Sequence, residues 1–215
     1  MAEIGILSPP AAPSSSETAC VAVAHADPGC FAQLLQSGFF LAVDDACPVR
    51  AFLLGVMGLD ADYIANRLQT VFLNGLAVDD LDTAVVRPGS RLALSAALPG
   101  LVGATMRRGG AFASLRQSVT HAPEHTISPS GPFLAEVRLF NLIGDDLAAR
   151  LLARGVLLKT GTLVEFLYSR PESFWASLRA LTLGTNTLDR NGVHQDVWPQ
   201  PETLLLLTAG VAREA

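Results

Sequence analysis

The sequence predicts an α+β chain made of two copies of one small strand-rich module. Three observations predict it. Short apolar runs alternate with segments of helical period, which excludes an all-helical or an all-strand chain. Asn74-Gly75 stands between the apolar runs Val71 to Leu73 and Leu76 to Val78, and Asn-Gly accepts positive φ at both central turn positions, the strongest short hairpin signal. The order strand, helix, strand, helix, then three strands also occurs twice. Placing Gly38 on Gly155 lays Leu34-Leu35 and Leu41 on Leu151-Leu152 and Leu158, the mark of internal duplication.

The elements follow in order. Residues 1 to 17, rich in Pro, Ser and Ala, read as a flexible tail. Cys20 to Ala24 is an apolar run suited to a buried strand, broken by Asp27-Pro28-Gly29. Cys30 to Gln36 reads as a short helix with Phe31, Leu34 and Leu35 at helical spacing, stopped by Gly38. Phe39 to Val43 is the second strand. Pro48 then opens a helix whose Val49, Phe52, Leu53 and Val56 share one face. A further helical piece, Asp60 to Leu68, turns Ile64 and Leu68 inward. The hairpin follows, and Pro88-Gly89 leads into a strand over Leu92 to Ala97.

Leu92 to Met106 is the longest weakly polar run, bounded by Arg91 and by Arg107-Arg108. It falls short of the roughly 20 residues of a spanning helix and contains Pro99, Gly100 and Gly103. It reads as a buried strand plus a small-residue loop. Residues 101–132 then form a connector in which Phe112 to Gln117 makes a helical turn or two. The second copy begins with a strand over Glu136 to Asn141, with Val137 and Leu139 inward, and a helix over Asp145 to Arg154 that Gly155 ends. A strand follows over Val156 to Lys159. Thr162 to Glu165 is a capping-box pattern opening the next helix, and Pro171 to Arg179 is helical. Leu181 to Leu183 and Thr187-Leu188 mirror the hairpin, with Gly184 to Asn186 in the turn, and Leu204 to Thr208 mirrors the strand at Leu92. In each copy the most continuous apolar run comes last, which places that strand inside a sheet, covered on at least one face.

These motifs resemble the molybdopterin-synthase small subunit and the thiamine sulfur carrier, ubiquitin-like β-grasp proteins. The resemblance runs through Phe72-Leu73-Asn74-Gly75, Asp80 to Thr83, Pro88-Gly89-Ser90 and Leu92 to Gly100. It covers roughly residues 19–100 and, more faintly, 134–211. It implies two tandem β-grasp domains, 18–100 and 133–215. That family works through a free C-terminal diglycine whose carboxylate is adenylated and converted to a thiocarboxylate. Here the corresponding places read Leu98-Pro99-Gly100 and Thr208-Ala209-Gly210, and the chain runs on after both. A peptide-bonded carbonyl is not adenylated as an acid is. The resemblance therefore implies a non-catalytic relative, a protein-binding or scaffold protein using its sheet surfaces for a partner.

The net charge of −5 excludes a basic nucleic-acid footprint. With 50% hydrophobic and 16% charged residues, there is material for a packed core. No basic start leads into an apolar core at the N-terminus, and Cys20, Cys30 and Cys47 lack a close C-x-x-C pair. A cytoplasmic chain with reduced, buried cysteines is expected.

Leu98, Gly100, Leu101, Val102 and Thr105 are the candidate contact surface for a protein partner or self-association, being small or apolar and weakly charged. Arg107-Arg108-Gly109-Gly110 resembles a ubiquitin-like tail. Cleavage after Gly110 would expose a diglycine and make a sulfur carrier, whereas a linker with solvated arginines is the bland alternative. His121, Glu124 and His125 could suit a metal, but Pro123 forbids a helix presenting both imidazoles. No cofactor is expected. A small-molecule or metal-binding protein using a cleft between the copies is the remaining alternative. His25 and His194 read as hydrogen-bonded or solvated histidines, Asp79, Asp80 and Asp82 as loop carboxylates, and Trp175 and Trp198 as packing residues.

Overall fold

A computed structural model of the chain describes residues 18–211 apart from 26, 99, 125 and 195; the predicted N-terminal tail lies outside the described residues. The architecture is mixed α+β, built on one large mixed sheet.

Strand β1 (Ala19–His25) leads through a 3₁₀ turn (Pro28–Phe31) into α1 (Ala32–Ser37), then β2 (Phe39–Val43) and the two-residue β3 (Cys47–Pro48). Helix α2 (Val49–Ala51) continues as a π-helical segment, Phe52–Val56, closed by the Met57 N–H donating to the Phe52 carbonyl at 3.0 Å. The wider turn keeps Phe52 and Leu53 both fully buried. In α3 (Ala61–Asn66) the Asp60 carboxylate caps the start by accepting from Tyr63 N at 2.7 Å. β4 (Thr70–Leu73) and β5 (Leu76–Ala77) form the expected hairpin, with φ of 53° at Asn74 and 84° at Gly75. β6 (Val85–Val86), which the sequence did not foretell, pairs with β3 in a separate ribbon. β7 (Arg91–Ser95) ends the first half.

The connector is more structured than expected. Gly100–Met106 is helix α4 and Ala113–Val119 is a 3₁₀ stretch kinked at Arg116. The predicted small-residue loop is thus corrected to a helix. β8 (Phe133–Phe140), α5 (Leu142–Arg154), β9 (Val156–Lys159), α6 (Thr160–Tyr168), α7 (Glu172–Ser177), β10 (Leu178–Leu183), β11 (Asn186–Thr187) and β12 (Leu204–Val211) follow. The Thr162 capping box is not used, because α6 begins earlier. The Thr160 and Gly161 N–H groups donate instead to the Thr203 and Pro201 carbonyls, both at 2.9 Å, so tertiary partners satisfy the orphan donors.

The ten strands run in the order β11-β10-β1-β12-β9-β2-β8-β7-β4-β5. The halves of the sequence meet where β2 and β9 pair antiparallel at Phe40 and Leu157. Strands from the two halves of the sequence interleave. β8 lies between β2 and β7, while β1 lies between β12 and β10. The sequence boundaries at residues 100 and 133 are therefore not boundaries of separate sheets. Strand directions are related by a half-turn about the β2/β9 pair. The strand order differs between the halves: β7 neighbours the β4–β5 hairpin, whereas β12 neighbours β9 and leaves β1 beside the β10–β11 hairpin. Both last strands are interior.

Alternation along the strands splits the sheet into two faces. Phe39, Leu41 and Val43 of β2, Val137 and Leu139 of β8, Val156 and Leu158 of β9, and Leu205 and Leu207 of β12 point into one core. Leu34 and Leu35 of α1, Ile143, Leu147 and Leu151 of α5, and Leu163 and Leu167 of α6 complete that core. Gly38 and Gly155, which end α1 and α5, have φ of 112° and 91° and turn the chain directly into β2 and β9.

Candidate functional site

The outward face of this sheet is the most unusual surface of the molecule. A sheet with one face on water ordinarily places polar side chains there. Some positions do so, with Arg91, Glu136, Arg138, Thr182 and Thr187 outward, although Phe72 of β4 is outward and apolar. Several positions of the central strands do not. Phe40 of β2, Leu134 of β8, Leu157 of β9, and Leu204 and Leu206 of β12 point outward, each half-buried, and stand outside the core cluster. Lys159, outward on β9, is held by Glu202 at 2.6 Å, and Arg138 by Glu136 at 2.8 Å. Cys20 is exposed on the same face of β1, so the expectation that all three cysteines are buried fails there: an even position in this strand points away from the helices. Cys30 and Cys47 are partly buried.

The contact surface nominated from the sequence lies on and before α4. Leu101 and Val102 are 71% and 69% exposed. Gly100 is also exposed, Leu98 is half-buried, and the Thr105 hydroxyl donates to the Val102 carbonyl at 2.7 Å. Phe112 and Leu115 add exposed apolar side chains on the connector.

Arginines tie this connector down. Arg116, 3% exposed, donates from Nη2 to Asp79 and from Nε to the Thr105 carbonyl, each at 2.6 Å, and from Nη1 to the Thr120 hydroxyl at 2.9 Å. Arg108 is not the solvated linker arginine expected. Its Nη2 donates to the Ile64 and Leu68 carbonyls at the end of α3, at 2.7 and 3.2 Å, where orphan carbonyls favour a cation. Gly109 N–H donates to Asp79 at 3.0 Å, and Gly110 N–H to the Arg107 carbonyl at 3.1 Å. Gly109-Gly110 is thereby part of the fold, and a protease acting after Gly110 must first undo these bonds.

Asp79 is engaged as described, Asp80 accepts from the Asp82 N–H at 2.9 Å, and Asp82 forms a two-point pair with Arg50 at 2.7 and 3.0 Å. All three therefore have internal partners. His125 lies outside the described residues. His121 Nε2 is 3.5 Å from Glu124, whose carboxylate also pairs with Arg87. Among the described residues no group of three or more His, Cys, Asp or Glu is placed to hold a metal.

Two aromatic clusters escaped sequence reading. His25, 3% exposed, stacks on Phe174 at 4.8 Å. Its Nδ1 accepts from Asp27 N–H at 2.9 Å, so Nε2 donates to the Phe174 carbonyl at 3.2 Å. Cys30 Sγ lies 3.6 Å from Nδ1, a spacing that invites a nucleophile–base reading. Burial first and Asp27 second push that thiol up to about 11, so it keeps its proton at neutral pH and the cluster is packing. The second is an open cleft of about 260 Å³ that includes Tyr168, His194, Asp196 and Trp198. The Tyr168 and His194 rings stack at 4.4 Å, and the Tyr168 hydroxyl and Trp198 Nε1 both donate to the Val193 carbonyl, at 3.1 and 3.0 Å. Each cluster also needs an aromatic residue distant in sequence, Phe174 for the first and Tyr168 for the second, whose proximity depends on the fold.

Among the described residues no helix is long and apolar enough to cross a membrane. Comparison with protein-family models, with curated proteins and with solved structures finds no match to the chain.

Proposed function

We propose that this chain is a non-catalytic protein-binding or scaffold protein that docks its partner on the outward face of the ten-stranded sheet. The observation that carries the reading is the run of outward Phe40, Leu134, Leu157, Leu204 and Leu206 across the central strands. Contiguous apolar surface of this kind marks an interaction site. The module is read as sulfur-carrier-like and β-grasp-related, present in two copies with first strands exchanged. Support comes from the matching Gly38 and Gly155 turns, the two hairpins and the two interior last strands. Gly100, where a carrier would end, instead opens α4, which supports a role without acyl-adenylate chemistry.

An affinity-tagged full-length chain incubated with extract of the native source tests this. Wild type should retain a protein, of its own or another sequence, that Leu157→Lys releases. Identical retention by both would overturn the docking face.

A further inference from the structure

We infer that the occupant of this face is a second copy of the chain, the two sheets stacking as the layers of a sandwich; this rests on the protein-binding reading above. Four features of the face favour a copy of itself. The first is extent. The seven adjoining strands from β10 to β7, about 4.8 Å apart and on average roughly 20 Å long, present a face of about 700 Å², within the roughly 600–1,000 Å² per partner of a stable interface. The second is chemistry. On β2, β9, β12, β1 and β8 the charged outward residues are Lys159, Glu136 and Arg138, and each is neutralised within its own chain. Charge is depleted from the cores of protein interfaces, and self-associating ones are the more apolar.

The third feature is symmetry. The strand directions already obey a half-turn about the β2/β9 pair, and Phe40, Leu157 and Leu206 lie side by side at that centre, with Arg91 and Arg138 to one side and Thr182 and Thr187 to the other. Rotating one copy onto another about an axis between the sheets sets middle on middle and wing on wing, which is what an isologous contact demands. The fourth is specificity. A partner of different sequence is ordinarily selected by charges left open to meet it. The ion pairs on this face, Arg138 with Glu136 and Lys159 with Glu202, are closed within the chain. Aliphatic side chains of the central strands then interdigitate across a gap of about 10 Å, as in sheet-on-sheet packing.

Sedimentation of the full-length protein between about 1 and about 100 μM, the range of ordinary self-association, is the first readout. A species of twice 22.6 kDa is expected. Leu134→Lys and Leu157→Lys, which touch no core residue, should each weaken it on the order of tenfold or more, as central contacts do. Leu101→Lys on α4 should leave it unchanged. The second readout needs no variant: alkylation of Cys20 should slow as concentration rises through the dimer range, while that of Cys47 should not. A chain that stays monomeric overturns the inference, as does a dimer indifferent to both lysines whose Cys20 reacts at one rate throughout. If the chain is monomeric yet Leu157→Lys releases a protein of different sequence, the second copy is ruled out and the docking face stands. If nothing is released either, both fall.

Discussion

Gly155 shows how much a single position decides. Its φ of 91° with ψ of 137° belongs to backbone that L side chains avoid. A Cβ there would also lie 3.0 Å from Leu206 Cδ1 and 3.3 Å from Thr208 Cγ2. Gly155→Ala should cost about 1–3 kcal/mol, the usual range for a strained backbone position. Gly75→Ala, with φ of 84° but open space around it, should cost less. Urea midpoints of the two variants check the ranking, and equal midpoints would contradict it. The helix stop at Gly155 was legible, because glycine just past an apolar helical face has few other meanings. The buried state of His25 was not, because it depends on Phe174, 149 positions away.

Elements were legible wherever local pattern and tertiary demand agreed. The β4–β5 hairpin, β2 and α5 follow directly from turn chemistry and apolar period. α4 was missed because glycines at 100 and 103 weigh against helix; Arg108 and Arg116, donating to backbone carbonyls around it, supply what propensity lacks. The start of α6 was missed for the converse reason, since a good cap at Thr162 was displaced by carbonyls from a distant loop. One link between elements has a pH signature. Asp146 of α5 accepts from Arg67 at 2.7 Å and from Tyr63 at 3.1 Å beside α3. The Arg67 hydrogen bond, and then the Tyr63 hydroxyl, hold its carboxyl below the ordinary value of 3.8 against the opposing effect of burial. The stability this pair contributes is fully present above the unfolded carboxyl's pKa and is lost as pH falls through the lower folded value. Urea midpoints of wild type and Asp146→Asn should therefore differ at pH 7 and converge as pH drops below about 4. A gap that persists in acid would contradict the assignment.

At the scale of the whole molecule, the mixed α+β class was legible but the interleaving of strands from the two ends of the chain was not. Apolar period tells which face of a strand is buried and is silent on which strand lies beside it. The candidate face suffered the same limit: Phe40, Leu157 and Leu206 lie in runs read as strands, Leu134 lies before the strand expected at Glu136, and only the assembled sheet shows them sharing one side. Interleaving makes a prediction about the halves. With the chain divided between 127 and 128, the first part lacks β8 from between β2 and β7, and the second lacks β1 from between β12 and β10. Neither part alone should unfold cooperatively, and mixing them should restore the circular dichroism of the whole. A cooperative transition from the first part by itself would refute this. The same arrangement bears on how the protein is made. β1 leaves the ribosome before any other strand of the sheet, yet its neighbours β10 and β12 are among the last strands made, so it waits unpaired while most of the sheet is synthesised. Pairings so distant in sequence form slowly and leave sticky edges exposed in the interim, which makes the nascent chain, more than the finished one, the species most in need of a chaperone.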